Sequence, residues 1–118
     1  MTLSETPIAG AWLLEIQPIS DERGFFARSL CVDTLAAHGL EGRMQQQSVS
    51  FNQRRGTLRG MHYQSAPHEE IKLVRVTQGR IYDVILDLRR NSPSYLRWHA
   101  VELSADNHRT LYIPKGVA

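Results

Sequence analysis

From residue 43 onward the chain is a succession of short segments of alternating polarity, separated by turn residues, and that rhythm commits it to a sheet. The segments are 45–51 (QQQSVSF), 57–64 (TLRGMHYQ), 71–78 (IKLVRVTQ), 80–88 (RIYDVILDL), 96–103 (LRWHAVEL) and 109–113 (RTLYI). Segments 71–78 and 80–88 meet at Gln78-Gly79, a hairpin signal that predicts they pair with each other. Upstream, 11–17 (AWLLEIQ) reads as another strand and Asp21-Glu22-Arg23-Gly24 as a turn into Phe25-Phe26. One short helix is predicted over 33–38, with Asp33 as N-cap, Val32, Leu35 and Ala36 on its apolar side, and Gly39 at its end. Short strands at this spacing predict an all-β chain, an antiparallel sandwich or barrel.

Length and charge narrow the classes. A chain of 118 residues suits one domain, 1–118, around one core. The net charge of +2 is too small to imply a nucleic-acid partner. No apolar run approaches the roughly 18 residues of a membrane span. Met1 to Gly10 lacks the basic and apolar regions of a secretion signal, and the lone Cys31 has no partner, so a reducing cytoplasm is expected.

The chemistry concentrates in Gly56-Thr57-Leu58-Arg59-Gly60-Met61-His62-Tyr63-Gln64 and in Lys72. Side chains two apart in a strand share a face, so His62 projects with Gln64, and Lys72 with Val74. Arg59 has the wrong parity to join His62 unless Gly60 forms a bulge. Segment 45–51 adds a polar face of Gln46, Ser48 and Ser50, and Asp83 lies on the odd face of 80–88. Taken singly, a strand histidine is a hydrogen-bonded structural residue and a strand lysine snorkels to solvent. A barrel interior that gathers Gln46, Ser48, His62, Gln64, Lys72 and Asp83 is too polar to be only a core, because each unpaired buried polar group costs about 1–3 kcal/mol. Tyr82 and Trp98 read as core or rim aromatics.

The spacing from Gly56 through His62 and Gln64 to Glu69 resembles the first cupin motif, whose two histidines and glutamate bind a metal. Here the second histidine is Gln64, and a neutral amide is a poor ligand for a transition metal. The expected protein is a cupin barrel without a metal.

Together with those residues, Asp21-Glu22-Arg23-Gly24-Phe25-Phe26, Lys72-Leu73-Val74-Arg75, Val101-Glu102-Leu103-Ser104-Ala105-Asp106-Asn107 and Tyr112-Ile113-Pro114-Lys115-Gly116 resemble the dTDP-4-dehydrorhamnose 3,5-epimerase family along nearly the whole chain. The resemblance implies a cupin-like jelly-roll barrel, a homodimer, no metal or organic cofactor, and a dTDP-linked 4-keto-6-deoxy sugar as substrate. It implies that His62 is the general base and Lys72 the cation near the C4 oxygen. Arg59 would bind substrate, Arg23 would reach the diphosphate, and Phe26 would pack near the nucleotide across the dimer. Gln46 falls at the family's Gln-x-Asn pair, but Ser48 replaces the usual Asn, and Arg28 stands where many members have a nucleotide-contacting Glu. Those departures suit a 3-only or 5-only epimerase as well as the double one.

The resemblance also implies that the family's C-terminal part, with a Tyr acid and an Asp orienting the base, lies beyond Ala118. The barrel is therefore expected to be incomplete, and the chain to exchange the C3 proton but to invert poorly. Three other readings remain open: a cupin that binds a nucleotide sugar without turnover, a metal-dependent cupin using His62, Gln64 and Glu69, and a structural dimerisation fragment.

Overall fold

The computed structural model describes residues 1–118, with eight strands and one helix. In chain order these are β1 (Thr2–Glu5), β2 (Trp12–Glu15), β3 (Ile19–Asp21), β4 (Gly24–Phe26), α1 (Val32–Ala37), β5 (Lys72–Arg75), β6 (Arg80–Leu86), β7 (Trp98–Ser104) and β8 (Thr110–Ile113). Four of them form an antiparallel sheet in the order β1-β2-β8-β5, while β3-β4 and β6-β7 form two-stranded sheets. No helix of the chain is long and apolar enough to cross a membrane.

Strand β8 organises the packing. All four of its residues are buried, so both of its faces are covered, and its sequence shows little alternation for that reason. Leu111 and Ile113 point to one side and join Ile8, Ala11, Val76, Ile85, Val101, Leu103 and Val117 in the main core, between the four-stranded sheet and the β6-β7 hairpin. Tyr112 points to the other side and packs with Leu14 and Leu35, which brings α1 onto the sheet's outer face. The register carries this division along: Val74 lies opposite Leu111 and Lys72 opposite Ile113, so both face the main core, whereas Leu73 lies opposite Tyr112.

The structure corrects several details of the sequence reading. The turn at Gln78-Gly79 exists, but β5 pairs with β8 and β6 with β7, so the chain passes there from one sheet to the other. The apolar registers of the finished sheets outweigh the local hairpin signal. Segments 45–51 and 57–64 are not strands. Between residues 43 and 70 the main chain makes only two hydrogen bonds to itself, Thr57 N–H to the Arg54 carbonyl and His68 N–H to the Ser65 carbonyl, and alternation without a ladder partner does not make a strand. Strand β1, where only Leu3 is partly buried, gave no comparable signal. The helix begins one residue early, after Cys31, which makes no side-chain cap; Asp33 lies in the first turn, where its charge suits the helix dipole. Tyr82 and Trp98 stand on the exposed outer face of the β6-β7 hairpin rather than in the core.

The long connection from β6 to β7 is fixed by one carboxylate. Asp87 is fully buried and accepts hydrogen bonds from Arg89 (Nε 2.8 Å, Nη2 2.8 Å), from the Arg89 N–H (3.0 Å), and from the hydroxyls of Ser92 (2.5 Å) and Ser94 (2.6 Å). The Arg89 guanidinium also donates to the Ala9 carbonyl at 2.6 Å, and the Ala9 N–H donates to Ser94 Oγ at 2.9 Å, so the same cluster ties in the loop before β2.

Candidate active site

The main core ends at a cleft of about 190 Å³ between the two sheets. Lys72 and Val74 of β5, Ile113 of β8, and Ile81, Asp83 and Ile85 of β6 form its walls, and Arg59, Gly60, Met61 and His62 cover it. Strand parity places the first six there, since each occupies the inward face of its strand. The covering residues belong to a segment without regular structure. Gly60, with φ +108°, takes a conformation that side-chain-bearing residues rarely adopt, and it redirects the chain so that Arg59 and His62 both reach the cleft. The role expected of Gly60 in a strand bulge is thus carried out by an irregular segment.

Hydrogen bonds to side chains position the segment. Lys72 Nζ donates to the His62 carbonyl at 2.7 Å and stands 3.8 Å from the Glu70 carboxylate. Arg59 donates from Nε to Asn52 Oδ1 at 2.7 Å and from Nη2 to the Phe51 carbonyl at 3.3 Å, which folds residues 51–52 against it. Asp83 is half-buried; burial pushes its carboxyl up from the ordinary range, while the charge of Lys72 and the Val84 N–H pull it down.

The structure therefore brings together Arg59, His62, Lys72 and Asp83, and it leaves Gln46, Ser48 and Gln64 on exposed main chain outside the cleft. Phe26 and Arg28 line a second depression, of about 310 Å³, with Met1, Gln17 and Ile19. Arg23 lies apart from both, on the β3-β4 turn, where Asp21 accepts its Nε–H at 3.2 Å and its main-chain N–H at 2.9 Å. The sequence groups the apolar wall Ile81 with Asp83 on one face of its segment, whereas nothing in the sequence marks Ile113 as a wall of the cleft. No three His, Cys, Asp or Glu side chains gather in an arrangement that could hold a metal ion.

The arrangement offers an imidazole, an ammonium and a guanidinium around a small cleft floored by aliphatic side chains. That is a combination for moving a proton and stabilising the anion it leaves behind.

Comparison with known proteins points the same way. Residues 5–118 match the family model described as dTDP-4-dehydrorhamnose 3,5-epimerase. The dTDP-4-dehydrorhamnose 3,5-epimerase of Methanothermobacter thermautotrophicus is 41% identical over 114 residues, covering 97% of this chain and 60% of that protein. The crystal structure of dTDP-4-dehydrorhamnose 3,5-epimerase from Bacillus anthracis, with TDP and PPi bound, is similar at a TM-score of 0.93 and 44% identity, over 99% of this chain and 67% of that one. A dTDP-6-deoxy-D-glucose-3,5-epimerase from Legionella pneumophila, in complex with dTDP-4-keto-L-rhamnose, is similar at a TM-score of 0.80 and 35% identity, over 99% of this chain and 62% of that one. The chain thus spans 60% to 65% of the length of the curated relatives it matches first. At this similarity its architecture is the cupin-like jelly roll predicted from the sequence.

Proposed function

Because the chain belongs to the dTDP-4-dehydrorhamnose 3,5-epimerase family, we propose that the protein epimerises a dTDP-linked 4-keto-6-deoxy hexose, with His62 taking the proton next to the C4 ketone and Lys72 stabilising the enolate. The observation that carries this reading is the shared cleft, in which His62 and Lys72 stand over aliphatic walls.

A C–H beside a ketone is a weak acid, so its removal needs a positioned base and a cation where the enolate oxygen develops charge. Imidazole, with an unperturbed pKa of about 6.5, can accept a proton and return it at neutral pH. Apolar walls such as Val74, Ile81 and Ile113 lower the local dielectric and strengthen the attraction between the ammonium and the enolate. Arg59 suits a substrate oxygen at the cleft, and the fork of Arg23 suits two diphosphate oxygens at once. Phe26 and Arg28, on the second depression, together with Gln46, Ser48 and Gln64 on the irregular segment, are assigned to contacts with the nucleotide and sugar. The reaction as proposed requires no cofactor.

The test is incubation with dTDP-4-keto-6-deoxyglucose in D₂O, followed by NMR. Deuterium entering at C3, C5 or both, and lost in His62→Ala, is the expected result. A His62→Ala variant that exchanges at the wild-type rate would remove His62 from the mechanism; a protein that binds the sugar but never exchanges it would be a binding module. The replacement of the family's Asn by Ser48 and of its Glu by Arg28 favours a second reading, selectivity for one carbon, which the same spectra resolve.

We also assign a homodimer and a cytoplasmic location. Val49 (95% exposed), Leu58 (94%), Tyr82 (71%) and Trp98 (65%) leave large apolar groups in water, which association would cover. Light scattering that reports a monomer at every concentration would count against the dimer.

A further inference from the structure

The β6-β7 hairpin carries two inward-facing aspartates with opposite treatment. Asp87 accepts hydrogen bonds from Arg89, Ser92 and Ser94. Asp83, four residues earlier, has a buried Oδ2 with no hydrogen-bond partner, and it is the only buried side-chain nitrogen or oxygen left so. An unsatisfied buried acceptor costs about 1–3 kcal/mol, so Asp83 is not there to hold the hairpin together. It sits between Ile81 and Ile85 on its strand, opposite Val101, and it faces the cleft that Lys72 lines from the other sheet.

Lys72 has complementary capacity. An ammonium offers three N–H donors, and the structure commits one of them to the His62 carbonyl at 2.7 Å; the Glu70 carboxylate stands outside hydrogen-bond reach at 3.8 Å, and Asp83 lies farther off across the cleft. An ammonium among aliphatic walls loses hydration, and a carboxylate nearby offsets part of that loss. Four rotatable bonds let the head of Lys72 swing without moving β5.

We infer that Asp83 is a positioning residue for Lys72: its charge draws the ammonium toward the cleft, and its free Oδ2, which makes no ion pair with Lys72 in this structure, takes a second N–H when the head of Lys72 swings to the substrate, so that the His62 carbonyl and Asp83 then hold two N–H groups and aim the third at the substrate's C4 oxygen. The inference rests on the role proposed above for Lys72. Three donors then meet three acceptors, and the charge is fixed before the enolate forms, which is the condition for stabilising it without reorganisation. The unsatisfied carboxylate is stability given up for that geometry.

The Asp83→Asn variant keeps the size of the side chain and removes the charge. Exchange in D₂O should slow about 10- to 100-fold in kcat with KM little changed, and the melting temperature should stay the same or rise, because a buried unpartnered carboxylate is gone. A second readout needs no turnover. Lys72 and Lys115 are the only lysines among the 14 basic residues, so acylation by acetic anhydride, mapped by mass spectrometry, reports on each separately. Lys72 should label several-fold faster in Asp83→Asn while Lys115 is unchanged, and Asp83→Ser should behave alike. An unchanged Lys72 labelling rate, an unchanged kcat in a protein with wild-type turnover, or a lowered melting temperature in both variants would overturn the inference. If the wild-type protein shows no exchange at all, the epimerase reading fails, and the labelling ratio still decides whether Asp83 holds Lys72.

Discussion

The ammonium of Lys72 donates a 2.7 Å hydrogen bond to the main-chain carbonyl of His62. The proposed cation thereby fixes the backbone of the proposed base, and it links the first residue of β5 to a segment that makes almost no hydrogen bonds of its own.

Replacing Lys72 should accordingly do two things. Lys72→Met removes the charge at the enolate and the anchor of His62, so kcat should fall by about 10²- to 10³-fold and KM should rise as well. Lys72→Arg restores donors but not the compact ammonium, and it should recover KM better than kcat. Steady-state kinetics on the two variants check this; a Met variant with wild-type KM would show that His62 is held by other means.

Arg23 is reserved by its neighbour Asp21, whose carboxyl the Arg23 side chain holds below its usual range. Arg23→Ala should weaken dTDP binding about tenfold, the loss of a charge-assisted contact. Asp21→Asn should tighten it instead, because the variant releases the guanidinium and removes a like charge from the diphosphate. Calorimetry with dTDP at two salt concentrations reads both effects, which should shrink at the higher salt.

Acid sensitivity should trace to Asp87. Burial alone would push its carboxyl up, but the hydrogen bonds from Arg89, Ser92 and Ser94 outweigh burial and hold it far below the ordinary carboxylate range. A depressed folded-state pKa contributes stability that is fully present above the unfolded value of about 3.9 and is lost as pH falls below it. Denaturation midpoints should therefore drop from about pH 4 downward. Asp87→Asn should flatten that limb and, by leaving Arg89 without its partner, lower stability at pH 7 by about 3–5 kcal/mol.

Gly116 protects the same cluster. Its φ is +76°, and a Cβ there would lie 2.6 Å from Arg89 Cγ, near the root of that side chain. Gly116→Ala should destabilise by about 1–3 kcal/mol through the strained conformation and the displaced arginine. Since both changes act on the Arg89–Asp87 contact, the double variant with Asp87→Asn should lose less than the sum of the single losses. Thermal melts of the four proteins make the comparison.

Much of the architecture could be read in advance where a residue's neighbours lie in its own strand. Alternation grouped Lys72 with Val74 and Asp83 with Ile81 and Ile85, but in 80–88 the even positions Tyr82, Val84, Leu86 and Leu88 are the wholly apolar ones, so it did not decide that the odd face turns inward. What could not be read depends on partners distant in the chain. Gln78-Gly79 marks a turn correctly, yet only the core register of β8 decides that β5 pairs there and not with β6. Residues 45–51 and 57–64 alternate like strands, but alternation says nothing about whether a ladder is available. Asp83 and Asp87 look alike in the sequence; one is saturated and the other open because Ser92 and Ser94 curl back onto only one of them.

Residues 43–70, which carry Arg59 and His62, contribute nothing to either buried cluster. The proposed base and its neighbouring arginine thus ride on a stretch that the hydrophobic core does not need, while the proposed cation, Lys72, stands on a strand that the core does need. Substitutions in this stretch should therefore carry little penalty in folding, so a change there can be tolerated and kept whatever it does to binding.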